Sequence, residues 1–280
     1  MGTPIGNMSD MSLRAHSILS KVAFIACEDT RHSGKLLKQL KLKVPLISFH
    51  QHNTQKRLGK LIEILKEGKS IALISDAGLP GISDPGEELV AEAKKNEIKV
   101  ICIPGPCAAT TALVSSGLPS NRFCFEGFLP SKKKERNAII SNIANEKRTT
   151  ILYESRYRLI QLLNELAQAC GNDRPLYVAR ELTKKYEESV GSTIETVINH
   201  FKQNQPRGEF TLILGGKIKK DQNQIQDESK LLSEVNKLIE SGYSSKLATK
   251  KIADEHGIPK RLLYSLLHKS ISTNISLIDY

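Results

Sequence analysis

Ile74-Ser-Asp-Ala-Gly-Leu-Pro-Gly-Ile-Ser-Asp-Pro-Gly86 is the stretch on which the fold turns. An apolar run at 71–75 feeds into it and a helical pattern begins at Glu87. The eleven residues 76–86 carry three glycines and two prolines. Loops of this kind at the carboxyl edge of a parallel sheet are where open α/β folds bind ligands. Glycine lets backbone amides approach a ligand closely, and proline stiffens the loop. No Gly-Lys-Ser/Thr follows and the spacing is not GxGxxG, so neither a phosphate loop nor a dinucleotide fingerprint is present. Asp84, followed by Pro85, fits a helix cap with proline at the first helical position. Asp76 and Gly78 have no such local role.

Working outward, the same strand–loop–helix rhythm recurs. Apolar runs at 22–27, 46–49, 71–75 and 98–103 read as strands with helical returns, with Thr54 as the cap of the second helix. Near-continuous apolar strands of this type predict parallel sheets covered on both faces. Residues 118–121 read as a link between an N-terminal α/β domain, 1–119, and a second α/β domain, 120–216. In the second domain, strands are predicted at 123–125, 150–153, 176–180 and 209–214. Ser192-Thr-Ile-Glu195 has the form of a capping box at a helix start. Residues 217–229 are polar and read as a linker. The stretches 231–240, 245–255 and 259–269 then read as a small helical module, 230–280. With a Gly-containing turn before the last helix it resembles a helix-turn-helix, or else caps the main body.

The chain has 280 residues, with 39% hydrophobic and 25% charged, the composition of a globular protein. No run approaches the ~20 apolar residues of a membrane span and no signal pattern opens the chain, so a cytoplasmic protein is expected. Five cysteines without a CxxC pair argue against a zinc cage or disulfide framework. His50-x-His52 lacks a third ligand at metal spacing, and no metal is expected. Lysine and arginine total 41 against 30 acidic residues, a net charge of +11. Such a surplus suits either solubility or a polyanionic partner. Phe128-Leu-Pro-Ser-Lys-Lys-Lys-Glu-Arg136 concentrates it, as an aromatic and Pro turn followed by four basic residues.

Two further Gly/Pro loops accompany the first. Pro104-Gly-Pro-Cys-Ala-Ala109 leaves room at the head of a helix for a flat ligand or for close helix–sheet packing, and Thr3-Pro-Ile-Gly-Asn7 lies at the start. Glu28-Asp-Thr-Arg31 sets two acids and a base at a strand end, where Asp29 or Thr30 also suits a helix cap. Three such loops without a basic cradle point to an uncharged or cationic cofactor.

Thr3-Pro-Ile-Gly-Asn7, Cys27-Glu-Asp-Thr-Arg31, the 75–86 loop, Pro104-Gly-Pro106, Gly127-Phe-Leu-Pro130, Tyr153-Glu-Ser155 and Ala179-Arg-Glu-Leu-Thr-Lys184 occur in that order. Together they resemble the small-subunit rRNA ribose methyltransferases of the tetrapyrrole methylase superfamily, over about residues 2–216. The resemblance implies two α/β domains with S-adenosylmethionine in the cleft between them, and a homodimer. It also implies methylation of a cytidine ribose 2′-hydroxyl in the decoding region of small-subunit rRNA, in naked rRNA or in the assembled subunit. Carried over by motif, the cofactor contacts are Asp76, Ala77, Gly78, Leu79, Ile82 and Ser83, with Pro106 and Ala108, and with Pro4 nearby. Glu28 or Asp29 is expected to orient the substrate or accept its proton, and Lys184 or Arg31 to stabilise charge. Lys132, Lys133, Lys134 and Arg136, with Lys250, Lys251, Lys260 and Arg261, are the candidate RNA contacts. The other readings are a tetrapyrrole C-methyltransferase and a non-catalytic RNA-binding protein. Two departures stand out. The resembled family has an apolar strand before its first loop, whereas here only Met1 and Gly2 precede Thr3, which predicts a start several residues upstream. Arg156 also replaces the family's usual proline after Tyr-Glu-Ser.

Overall fold

The computed structural model describes residues 1–51, 53–217, 222–257, 260, 263 and 264. Two compact units divide the chain, Met1–Lys217 and Ile218–Tyr280.

The first unit begins with α1 (Leu13–Leu19), β1 (Phe24–Cys27), α2 (Thr30–Gln39), β2 (Leu46–Ser48), α3 (Thr54–Lys66), β3 (Ile71–Ile74), α4 (Glu87–Lys95) and α5 (Ala108–Ser115). The three strands form a parallel sheet in the order β2-β1-β3, with Ile25 opposite Leu46 and Ala72. As the central strand, β1 buries Ile25, Ala26 and Cys27 completely, as a strand covered on both faces must. Ile25, Cys27 and Ile74 pack with Leu19, Leu36 and Leu37, while Ala26 packs with Phe49, Leu61 and Leu89.

The run at 98–103 is not a strand, and Ile101 is 56% exposed. The sheet ends at β3, so an apolar run without a neighbouring ladder has no strand to join. Gly2 N–H donates to the Ile103 carbonyl at 3.1 Å.

The unit continues through β4 (Phe123–Phe128), α6 (Lys133–Asn145), β5 (Thr149–Ser155), α7 (Leu159–Cys170), β6 (Pro175–Arg180), β7 (Glu188–Thr193), α8 (Ile194–Gln203) and β8 (Glu209–Leu214). These five strands order as β4-β5-β8-β6-β7. Only β4 and β5 run parallel; the pairs β5–β8, β8–β6 and β6–β7 are antiparallel. The expectation of parallel sheets therefore fails for this one. Its edge strand β7, Glu-Ser-Val-Gly-Ser-Thr, has a single apolar side chain and carries too little hydrophobic pattern to be read as a strand. Because β7 pairs through Thr193 with Pro175, the helix cap shifts by one residue. Thr193, not Ser192, caps α8 by accepting from Thr196 N–H.

Alternate side chains of β5 serve two cores, as strand periodicity requires. Leu152 packs with Leu159, Leu162, Leu163 and Leu166, whereas Ile151 packs with Ala109, Ala112 and Leu113. The small residues of α5 let it sit tightly on the sheet.

In the second unit, α9 (Gln222–Glu240) begins inside the stretch read as linker, and α10 (Ser245–Glu255) follows. Glutamine, glutamate and lysine are good helix formers, so polarity there does not separate a linker from a helix start. Val235, Ala248, Ile252, Ala253 and Leu263 form its core. Lys250, Lys251 and Lys260 are exposed. Arg261, His52 and most of the predicted last helix lie outside the described residues. No helix among the described residues is long and apolar enough to cross a membrane.

Candidate active site

The loop after β3 is held by backbone chemistry. Thr3 and Gly78 exchange N–H···O bonds of 2.9 and 3.1 Å, and the buried Thr3 hydroxyl lies 3.2 Å from the Ser75 carbonyl. Gly78 has φ +82°, a conformation that L side chains adopt only with strain. The 104–107 loop joins them at closest approach, since a Cβ on Gly105 would fall 2.8 Å from the Gly2 Cα. All three Gly/Pro loops thus converge on one place. Ser83 also takes positive φ, +63°, at the cavity edge.

A cavity of about 660 Å³ opens there. Asp76, Ala77, Gly78, Leu79, Ile82, Ser83 and Ala108 line it, whereas Pro4 and Pro106 do not. Glu28, at the end of β1, and Lys184 also line it. Asp29 and Arg31 do not. Asp29 caps α2 by accepting from Arg31 N–H, and its carboxylate pairs with the Arg31 guanidinium at 2.8 Å. That pairing holds the Asp29 carboxyl well below the usual range.

Asp84 is the residue the sequence reading misplaced. It does not cap α4, whose N-cap is Gly86 without a side-chain bond. It lines the cavity instead. Burial, followed by the negative charge of Glu28, pushes its carboxyl up to about 6, against a smaller opposing effect of a hydrogen bond with Ser75. Burial and then Asp76 likewise raise Glu28. Among the described residues, no lysine or arginine ion-pairs with Glu28, Asp76 or Asp84. A signal was present in the sequence: an aspartate followed by Pro-Gly sits poorly at a cap when the glycine supplies the turn.

The facing wall comes from the five-stranded sheet. Tyr153, Glu154, Ser155, Arg156, Tyr157, Glu181 and Glu209 line it. Here charges are matched. Lys184 Nζ donates to Glu181 at 2.9 Å and to Glu209 at 2.8 Å. Burial alone would lower the Lys184 ammonium, but those two bonds raise it overall. Glu181 and Thr183, at φ +51° and +65°, hold strained turns of the sort found at functional sites. The Tyr153 hydroxyl accepts from Ala109 N–H at 3.0 Å, tying α5 to β5. Burial raises its ionisation above the ordinary tyrosine value.

Of the proposed RNA contacts, Lys132, Lys133 and Lys134 are exposed. Arg136 is not available: its side chain is 3% exposed and pairs with Glu165 at 2.7 Å and with the buried Glu154 at 3.6 Å. Helical spacing turns it inward from the lysines that precede it. Among the described residues, no group of three His, Cys, Asp or Glu side chains has the arrangement of a metal site.

The family model for tetrapyrrole (corrin/porphyrin) methylases matches residues 1–198. A Synechocystis protein named ribosomal RNA small subunit methyltransferase I is 45% identical over 95% of both chains. A Thermotoga maritima protein of the same name is 42% identical over 78% of this chain but 97% of its own, so the match spans nearly all of that shorter relative. The crystal structure of a Thermus thermophilus uroporphyrin-III C-methyltransferase superposes with a TM-score of 0.55 at 20% identity, covering 76% of this chain and 91% of that one. At that identity the likeness concerns the fold.

Proposed function

The chain belongs to the tetrapyrrole methylase family and, within it, groups with the ribosomal RNA small subunit methyltransferases I; from that membership we propose that it moves a methyl group from S-adenosylmethionine to a cytidine ribose 2′-hydroxyl in the decoding region of small-subunit rRNA. The observation that carries this reading is the carboxylate wall of Glu28, Asp76 and Asp84, to which no lysine or arginine among the described residues is ion-paired, beside three glycine-rich loops in one cavity. A cationic sulfonium compound suits that wall, and the small side chains of Ala77, Gly78 and Ala108 leave room for a flat adenine. Asp76 and the backbone at 77–79 would hold it.

S-adenosylmethionine, when bound, supplies a methyl group on a positively charged sulfur that leaves as a neutral thioether. The protein's own work is orientation and proton handling. In-line approach at ~3–3.5 Å does much of it. A ribose hydroxyl is a very weak acid, so it needs a base whose proton affinity lies near the working pH. Asp84, titrating at about 6, meets that requirement and accepts the hydroxyl proton as the new O–C bond forms. Glu28 stays beside it, keeping that proton affinity high. Lys184, bonded to two carboxylates, orients Glu181 and Glu209 and stabilises charge as the hydroxyl is deprotonated. Asp29 and Arg31 neutralise each other at the head of α2 and take no proton.

Lys132, Lys133 and Lys134, with Lys250, Lys251, Lys260 and Arg261 of the second unit, supply phosphate contacts. A tetrapyrrole substrate leaves them without a role. We read the substrate as rRNA in the assembled subunit, the protein as a homodimer and its compartment as the cytoplasm. Calorimetry with S-adenosylmethionine, followed by labelled-methyl transfer to naked rRNA and to small subunits, tests the reading. Binding followed by transfer to subunits supports it; an absence of cofactor binding overturns it.

A further inference from the structure

The mouth of the cavity carries something the methyl-transfer scheme leaves unused: large aromatic surface exposed to solvent. Tyr157 lines the cavity yet is 80% exposed, and Phe128 is 53% exposed at the same mouth. Exposure of this degree contributes nothing to a core. The two rings are nonetheless fixed in place. The Arg156 guanidinium lies 4.6 Å from the centre of the Tyr157 ring and also donates to its hydroxyl. Phe128 sits 5.5 Å from the buried-side ring of Tyr153, which is in turn anchored on α5. The turn between β5 and α7 is also pinned from behind: Arg158 bonds Glu154 at 2.9 Å and the Leu129 carbonyl at 3.1 Å. An oriented, solvent-facing ring backed by a guanidinium is the arrangement that stacks on the π-face of an unpaired nucleobase.

We propose that Tyr157, backed by Arg156 and flanked by Phe128, forms a stacking site at the cavity mouth for an RNA base, and holds the nucleotide whose ribose enters the cavity. The proposal rests on the RNA reading given above. It makes Tyr157 a positioning residue for substrate, with no part in proton transfer. Lys132, Lys133 and Lys134 follow Phe128 by only a few residues, so the phosphates flanking a stacked base have cations close in the chain. The site accepts single-stranded or extruded nucleotides only, because a base stacked within a duplex offers no free face.

The chain contains no tryptophan, which makes the test direct. Tyr157→Trp introduces a single indole at the mouth. Titration with a short unstructured oligoribonucleotide should quench its fluorescence, whereas a duplex of the same sequence should not. In methyl transfer to small subunits, Tyr157→Ala should raise KM about 5- to 150-fold, the range that losing one base–aromatic stack produces, with kcat changed less than about threefold. Tyr157→Phe, which keeps the ring, should restore KM. Tyr157 is 80% exposed and outside the core, and a melting curve for each variant checks that the fold is intact. An unquenched indole together with an unchanged KM for Tyr157→Ala overturns the stacking site while leaving the methyltransferase reading intact. Failure of the unmodified protein to transfer methyl to any RNA is a different result and strikes the functional reading itself. A KM that rises equally in Tyr157→Phe assigns the effect to the hydroxyl and contradicts stacking.

Discussion

The two walls of the cavity treat charge in opposite ways. On the wall built from the three-stranded sheet, Glu28, Asp76 and Asp84 lie together with no lysine or arginine ion-paired to them among the described residues. Two of them are pushed toward protonation, His50 only partly offsetting the effects on Glu28. On the wall built from the five-stranded sheet, Glu154 is fully buried but held by Arg158 at 2.9 Å and Arg136 at 3.6 Å, and Glu181 by Lys184 at 2.9 Å. Burying a charge without a partner is costly. A fold tolerates that where a ligand completes the site. Apart from Lys184, matched charge here builds architecture, and unmatched charge marks where the proton moves.

The largest expected effect breaks this contrast on the unmatched side. Asp84→Asn should lower kcat by roughly 10²- to 10⁴-fold, the usual contribution of a positioned proton acceptor. In the unmodified protein, activity should fall as pH drops below about 6, and single-turnover rates across pH check both. The same substitution should not destabilise the fold. The Asp84 carboxyl titrates at about 6 folded against 3.8 unfolded. Between those values the unfolded chain has released a proton that the folded one keeps, so stability falls as pH rises through that window and stays lower above it. Without bound cofactor, Asp84→Asn should therefore melt above the parent at about pH 7.5 and level with it near pH 4.

The matched side should behave in the reverse manner. Arg136→Ala removes the buried guanidinium that pairs with Glu165 at 2.7 Å and Glu154 at 3.6 Å, leaving Glu154 with Arg158 alone. It should cost about 1–3 kcal/mol of stability, read by denaturant unfolding. The variant that folds should keep most of its single-turnover rate.

A smaller effect tests the loops. Gly78→Val places a β-branched residue at φ +82°, where such residues are outliers. The Cβ itself would meet Ile5 and Pro106 only at 3.4 and 3.5 Å, so the cost comes from the backbone and not from crowding. Calorimetry should show S-adenosylmethionine affinity reduced by about tenfold or more, since ~1–2 kcal/mol of strain falls on the loop that binds it.

The triple substitution of Lys132, Lys133 and Lys134 by Ala should leave cofactor affinity alone. It should reduce the salt slope of log affinity for RNA by roughly 2–3. Ending the chain after Lys217, the end of the first compact unit, should weaken RNA capture with little change in cofactor affinity. If the truncated protein methylates equally well at limiting substrate, the second unit is a structural cap.

Much of this contrast was legible in the residues, and its misreadings have physical causes. The convergence of the loops followed from glycine and proline beside apolar runs. Asp84 was misread because Asp-Pro looks like a cap followed by a first-turn proline, while the glycine after it, the true N-cap, was given too little weight. Arg136 was misread because a run of basic residues conceals which one the helix turns inward. The edge strand β7 escaped notice because Glu, Ser, Gly and Thr carry little period-2 hydrophobic signal, and the run at 98–103 has the apolar pattern of a strand but no partner beside it. Tyr157 gave no sequence signal beyond its place after Tyr153-Glu-Ser-Arg156.

The central claim is that the carboxylate wall directs a methyl group onto an RNA ribose. Small subunits incubated with the protein and isotopically labelled S-adenosylmethionine, then digested to nucleosides for mass spectrometry, test it most directly. The account predicts label in 2′-O-methylcytidine from the decoding region, and its loss with Asp84→Asn. Label on a base carbon or nitrogen, or undiminished label with Asp84→Asn, would contradict it.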